Sequence, residues 1–127
     1  KIEGIMISSR SKERAHNALR EASVAFLEDE GLAHAVSNLD EHIHLIDDKT
    51  RGGYGLFGQD VLECITEQLS CNGFSLDPIY TGKAFLGMQE YVEENGITGE
   101  NILFVHTGGE PIFYDNLQAG AFSQTSL

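Results

Sequence analysis

Short apolar runs alternate with longer stretches of helical period along this chain, each closed by a glycine or a turn, and this alternation most narrows what it can fold into. Residues 2–8 read as a buried strand ending at Ser8 and Ser9. Ala15, Ala18, Leu19, Ala22 and Phe26 then recur at helical spacing, with Ser9 or Ser11 as the cap and Gly31 as a left-handed stop. A weaker apolar stretch, 32–39, leads to a strand at 42–46. A polar, glycine-rich loop follows, and the next helix carries Val61, Leu62, Ile65 and Leu69 before stopping near Asn72 and Gly73. Residues 74–76 suggest a very short strand, and Ala84, Phe85, Met88, Tyr91 and Val92 mark a further helix. Ile102, Leu103, Phe104 and Val105 make a last run of strand length. Strands alternating with helices predict an α/β fold, an open and mostly parallel sheet with flanking helices. Ligands in such sheets bind beyond the carboxyl ends of strands, where both glycine-rich segments, 52–55 and 108–109, should fall.

Composition narrows the partners. Twenty acidic against eight basic residues in 127 give a formal charge of −12, which repels polyphosphates and anionic membranes. A small anionic cofactor remains compatible, because backbone dipoles can hold a phosphate inside an acidic protein. Cys64 and Cys71 make no C-x-x-C pair and, seven residues apart on one helix, stand roughly 10 Å apart along its axis, too far for a disulfide. They read as reduced thiols, and with no apolar stretch of membrane length the expected location is the cytoplasm. Lys1 runs straight into the strand at 2–8, which predicts a chain that begins inside a longer protein.

Three segments could carry chemistry. In the first, His106, Thr107, Gly108 and Gly109 follow an apolar run and precede Glu110 and Pro111, where a helix can start; such a turn binds an anion or merely redirects the backbone. In the second, residues 77–83, Pro78 holds Asp77 extended, Thr81 can cap the next helix, and Tyr80 is left at the junction. Lys83 in this segment is expected to be a solvated charge rather than a Schiff-base lysine. In the third, Gly52, Gly53, Tyr54 and Gly55 can place an aromatic ring against a flat ligand, or form a loop with no ligand. His42 and His44 lack the converging partners a metal needs and read as the exposed face of an edge strand; no metal site is expected.

Taken in order, Gly-Gly-Tyr-Gly at 52–55, Leu-Asp-Pro-Ile-Tyr-Thr-Gly-Lys-Ala at 76–84 and Ile-Leu-Phe-Val-His-Thr-Gly-Gly at 102–109 resemble the last part of D-cysteine desulfhydrases and 1-aminocyclopropane-1-carboxylate deaminases. Ile5 to Arg10 is similar to the strand that precedes this region in the family. The resemblance implies a tryptophan-synthase-β-like, fold type II enzyme dependent on pyridoxal 5'-phosphate, with residues 1–127 as the C-terminal portion of its large, cofactor-binding domain. It implies that Tyr54 and Tyr80 are catalytic groups at the site mouth, one with a lowered phenol pKa. Thr107, Gly108 and Thr81 would contact the cofactor, Thr107 opposite the pyridine nitrogen. Thr81 and Thr107 match the desulfhydrase pattern; the deaminases typically carry Glu and Leu there. The implied reaction is β-elimination from a small D-cysteine-like amino acid, giving pyruvate, ammonia and sulfide.

The family's Schiff-base lysine and phosphate loop lie outside these residues, so this chain alone is expected to be inactive. The alternatives are the deaminase reaction, a non-catalytic module of the same ancestry, or an unrelated small α/β nucleotide binder, which leaves residues 77–83 unexplained. Apolar surface left by missing parts is expected to drive dimerisation or association with a partner.

Overall fold

The computed structural model describes residues 2–122. Strand β1, Glu3–Ile5, pairs in parallel with β2, His44–Ile46, in the register Glu3 with His44, Gly4 with Leu45 and Ile5 with Ile46. Between them run helix α1, Lys12–Asp29, and a 3-10 segment, Ala33–Glu41. Ser11 caps α1, its hydroxyl accepting the Arg14 N–H. The parallel pair with a helical crossover is the α/β arrangement expected from the alternation.

Three further helices follow, α2 at Gln59–Asn72, α3 at Thr81–Glu94 and α4 at Glu110–Gln118. Their inward faces build the core. Val61, Leu62, Ile65, Leu76, Phe113 and Phe122 are buried, with Leu69, Phe74, Phe85 and Phe104 packed against them. Each such side chain contributes about 1.5–3 kcal/mol of transfer free energy. Helix α3 comes close enough to β1 that a Cβ at Gly87 would lie 2.9 Å from Ile5 Cγ2, so glycine sets their spacing.

Three expectations fail in instructive ways. Residues 102–105 and 74–76 are extended but form no ladder, because no described strand lies beside them. Within 102–105 only Phe104 turns inward, packing edge-on against Phe85 at 5.0 Å, while Ile102, Leu103 and Val105 stand 50%, 85% and 70% exposed. On α1, Leu19 and Phe26 stand exposed. His42 falls before β2 rather than on it.

Candidate functional site

The site is organised by one buried carboxylate. Asp77 follows the core residue Leu76 and has no solvent exposure. Its Oδ1 accepts the N–H groups of Ile79 and Tyr80 at 2.9 and 2.7 Å, and Oδ2 accepts that of Thr81 at 2.9 Å. The Asp77 carbonyl takes the Gly82 N–H at 2.7 Å. A single residue thereby satisfies N–H groups that the start of α3 leaves open, and the carboxylate suits the positive end of that helix.

Thr81 was expected to cap α3 and to touch a cofactor. Its hydroxyl instead donates to Asp77 Oδ2 at 2.6 Å and accepts the Asp77 N–H at 2.9 Å, and the residue is 3% exposed. That leaves no hydroxyl proton for a ligand. Asp77 is the capping side chain, and Thr81 locks it.

This cap fixes Tyr80, whose hydroxyl meets that of Tyr54 at 2.5 Å, the rings edge-on with centroids 5.9 Å apart. Two sequence-distant motifs thus converge on one hydrogen bond. The pair faces a cleft of about 690 Å³ lined also by Ile7, Ser8, Ser9 and Arg10, with no carboxylate among its lining residues. In a chain of charge −12, an acid-free cleft bearing four hydroxyls and a guanidinium favours an anionic group. A second depression, of about 500 Å³, is lined by Glu3, Asp47, Asp48 and Glu94 and has the opposite character.

The phenol chemistry differs from the expectation of a lowered pKa. Tyr80 is raised above its ordinary 10.0, first by its hydrogen bond with Tyr54 and then by burial, both of which favour the neutral phenol. It holds its proton rather than shedding it.

The loop bearing Tyr54 is clamped by charges that the sequence reading left unassigned. Lys49 Nζ donates to Glu94 Oε1 and Oε2 at 2.6 and 2.8 Å, and that carboxylate raises its pKa foremost. Arg51 bridges Asp60 of α2 at 2.7 Å and Glu90 of α3 at 2.5 Å. Lys83, expected to be solvated, is 1% exposed, with its ammonium directed at backbone carbonyls of this loop.

Thr107 and Gly108 lie outside the residues that line the tyrosine cleft. Thr107 is exposed and Gly108 half-buried. Their turn is nonetheless tied to the site. His106 Nδ1 accepts the Gly108 N–H at 3.3 Å, which leaves Nε2–H to donate to the Ser75 carbonyl at 2.9 Å. Gly109, with φ 107°, packs directly on the Asp77 carboxylate, whose Oδ2 fills the space a Cβ would need. The turn then opens into α4 with Pro111 in its first positions.

No family model matches the chain. A Pyrococcus abyssi protein provisionally named 1-aminocyclopropane-1-carboxylate deaminase is 43% identical over 60 residues, 47% of this chain and 18% of that protein. D-cysteine desulfhydrase of Salmonella newport is 38% identical over 73 residues, 57% of this chain and 22% of the enzyme. The fold agrees: a crystal structure described as that of an ACC deaminase homologue superposes on 94% of this chain at TM-score 0.60 and 27% identity.

These matches support the chain being a fragment of the D-cysteine desulfhydrase and aminocyclopropane-carboxylate deaminase family.

It corresponds to only part of a family member, the matches covering about a fifth of those curated relatives and 35% of the superposed structure's chain. Within that part, the α/β fold agrees with that of the ACC deaminase homologue.

Proposed function

We propose that this chain forms one wall of a pyridoxal-phosphate-dependent β-elimination site acting on a small D-cysteine-like amino acid. The observation that carries this reading is the Tyr54–Tyr80 hydroxyl pair at the mouth of an acid-free cleft. The donor set fits the cofactor: hydroxyls and a guanidinium suit an anionic, flat heterocycle, and no lining carboxylate opposes it. When bound, pyridoxal phosphate supplies the electron sink for breaking bonds at the amino acid's α carbon.

The chain's own residues do the rest. Tyr80, held neutral, keeps a proton for a departing thiolate, and Tyr54 orients that proton through their hydrogen bond. Asp77 fixes the backbone of Tyr80, so the phenol does not wander during turnover. Arg10 brings positive potential to the same cleft. Thr107, by the family resemblance, would hold the cofactor's ring from outside the tyrosine cleft, and a neutral hydroxyl there would favour elimination over transamination. Gly108 beside it would let the ring approach the backbone. The unpaired Cys64 and Cys71 support a reducing, cytoplasmic setting, and no described helix is long and apolar enough to cross a membrane.

The deaminase reaction is the second reading, favoured by the names of the P. abyssi relative and of the superposed structure. Thr81 and Thr107, in place of Glu and Leu, favour the desulfhydrase. Turnover of D-cysteine and of 1-aminocyclopropane-1-carboxylate by the intact protein separates the two. D-cysteine is expected to release pyruvate, ammonia and sulfide faster; faster loss of the cyclopropane substrate would overturn the assignment.

A further inference from the structure

Lys83 is the largest fully buried side chain among the described residues, yet none of its hydrogen bonds goes to a carboxylate. Its ammonium donates to three backbone carbonyls, Gly53 at 2.7 Å, Ile7 at 3.2 Å and Thr50 at 3.3 Å. Burying a cation is costly, and carbonyl dipoles return only part of the lost hydration, so such a group is a weak device for stability alone. Its acceptors suggest what it is for. Ile7 lines the tyrosine cleft beyond β1, Thr50 opens the glycine-rich loop, and Gly53 immediately precedes Tyr54. Lys83 itself lies in the first turn of α3, three residues after Tyr80. One ammonium therefore joins the segments that carry both phenols and one rim of the cleft.

We propose that Lys83 is a positioning residue that holds the Tyr54 and Tyr80 hydroxyls in register by tying residues 7, 50 and 53 to the first turn of α3. Its consequence for turnover rests on the elimination reading given above; its structural effect does not. A methionine of the same length would leave three carbonyls facing an apolar group, and the loop would have to move to hydrate them. Burial foremost, and then the charge of Arg51, lower the pKa of the ammonium, and Asp77 opposes them.

The test is tyrosine NMR on the intact protein labelled at the phenol carbon, comparing the native protein with Lys83→Met and Lys83→Gln. In the native protein Tyr80 should titrate above 10.0. In Lys83→Met that titration should fall back towards 10.0 and the Tyr54–Tyr80 ring contacts should vanish, while thermal unfolding stays cooperative. Lys83→Gln, which keeps a donor, should lie between. A folded Lys83→Met with native Tyr80 titration would overturn the proposal.

Should Lys83→Met not fold, the native protein still decides. The signals of Tyr54 and Tyr80 should move in step with deprotonation of the Lys83 amine, below its ordinary 10.5. Tyrosine signals blind to that event would overturn the proposal. The two readings fail separately: undiminished D-cysteine turnover in Tyr80→Phe removes the elimination reading, whereas unchanged phenols in Lys83→Met remove this one.

Discussion

The Asp77 carboxylate occupies the space that a side chain at position 109 would need, so the start of α3 and the start of α4 are built around each other. Gly109 answers two demands at once, a φ of 107° and room for Oδ2. Gly109→Ala should destabilise the fold by about 2–4 kcal/mol, from strain at positive φ and from displacing the carboxylate. Asp77→Ala should cost a similar amount, about 2–4 kcal/mol, through the lost cap and stranded N–H groups. Because both act on one contact, the double variant should lose less than the sum, by about 1 kcal/mol or more. Urea unfolding of the three variants measures this; strict additivity would show that the contact carries no energy.

Much of this was legible beforehand. Both paired strands, α1, α2, α3 and the loop between β2 and α2 follow from periodicity and glycine stops, because local spacing determines them. The strand at 102–105 was misread because a strand is completed by its neighbours. The run has the length and apolar character of a strand, but among the described residues nothing offers it a ladder. Tyr54 and Tyr80 were identifiable from their motifs, while their 2.5 Å contact was not, since it depends on how α3 meets the loop. Asp77 carried a signal that went unused: an acid followed by proline, with threonine four residues on, is a capping arrangement as much as a turn. For Lys83 no sequence signal separates a buried ammonium from a solvated one.

Replacing either site tyrosine with phenylalanine removes one hydroxyl and leaves the rings in place. Tyr80→Phe in the intact protein should reduce D-cysteine turnover by about 10²–10⁴-fold, the range for a lost proton donor. Tyr54→Phe should reduce it less and should return the Tyr80 titration towards 10.0, because the hydrogen bond between the two phenols is the main cause of its elevation. Steady-state kinetics and ultraviolet phenol titration check the two statements.

The same groups give the alkaline limb of stability a composite sign. Tyr80 is raised in the fold, so its contribution is complete below pH 10.0 and is lost as pH rises through its folded value. Lys83 is lowered, so its contribution runs the other way, stability increasing from its folded value up to 10.5. Tyr80→Phe removes only the first contribution. Stability of that variant between about pH 9 and 11 should therefore fall less steeply than in the native protein, and denaturant titration at stepped pH measures the slope.

The two cysteines sit on one helix in different surroundings. Cys64 is buried and its thiol is pushed up to about 11, chiefly by desolvation and then by Glu67 and Asp60, whereas Cys71 is exposed. The thiolate is the reactive form, so near pH 8 only Cys71 should label quickly with a maleimide. Cys71→Ser should leave a folded chain that labels only as fast as it opens. Rapid native-state labelling at Cys64, located by mass spectrometry, would contradict the burial of that helix face.

Exposed apolar groups give the last prediction. Leu103 and Val105 project from an extended segment whose other face is anchored through Phe104 on Phe85, so the backbone is held in place while its outer side chains meet water. An extended segment of this kind presents both apolar side chains and unpaired backbone groups, the combination that recruits another strand or copy. The 127-residue chain by itself is therefore expected to self-associate as concentration rises. Leu103→Asp with Val105→Asp should shift it towards monomer without lowering its stability by more than about 1 kcal/mol, since both residues are exposed. Sedimentation velocity across a concentration series tests this. A native chain that stays monomeric throughout would show that this face needs no partner.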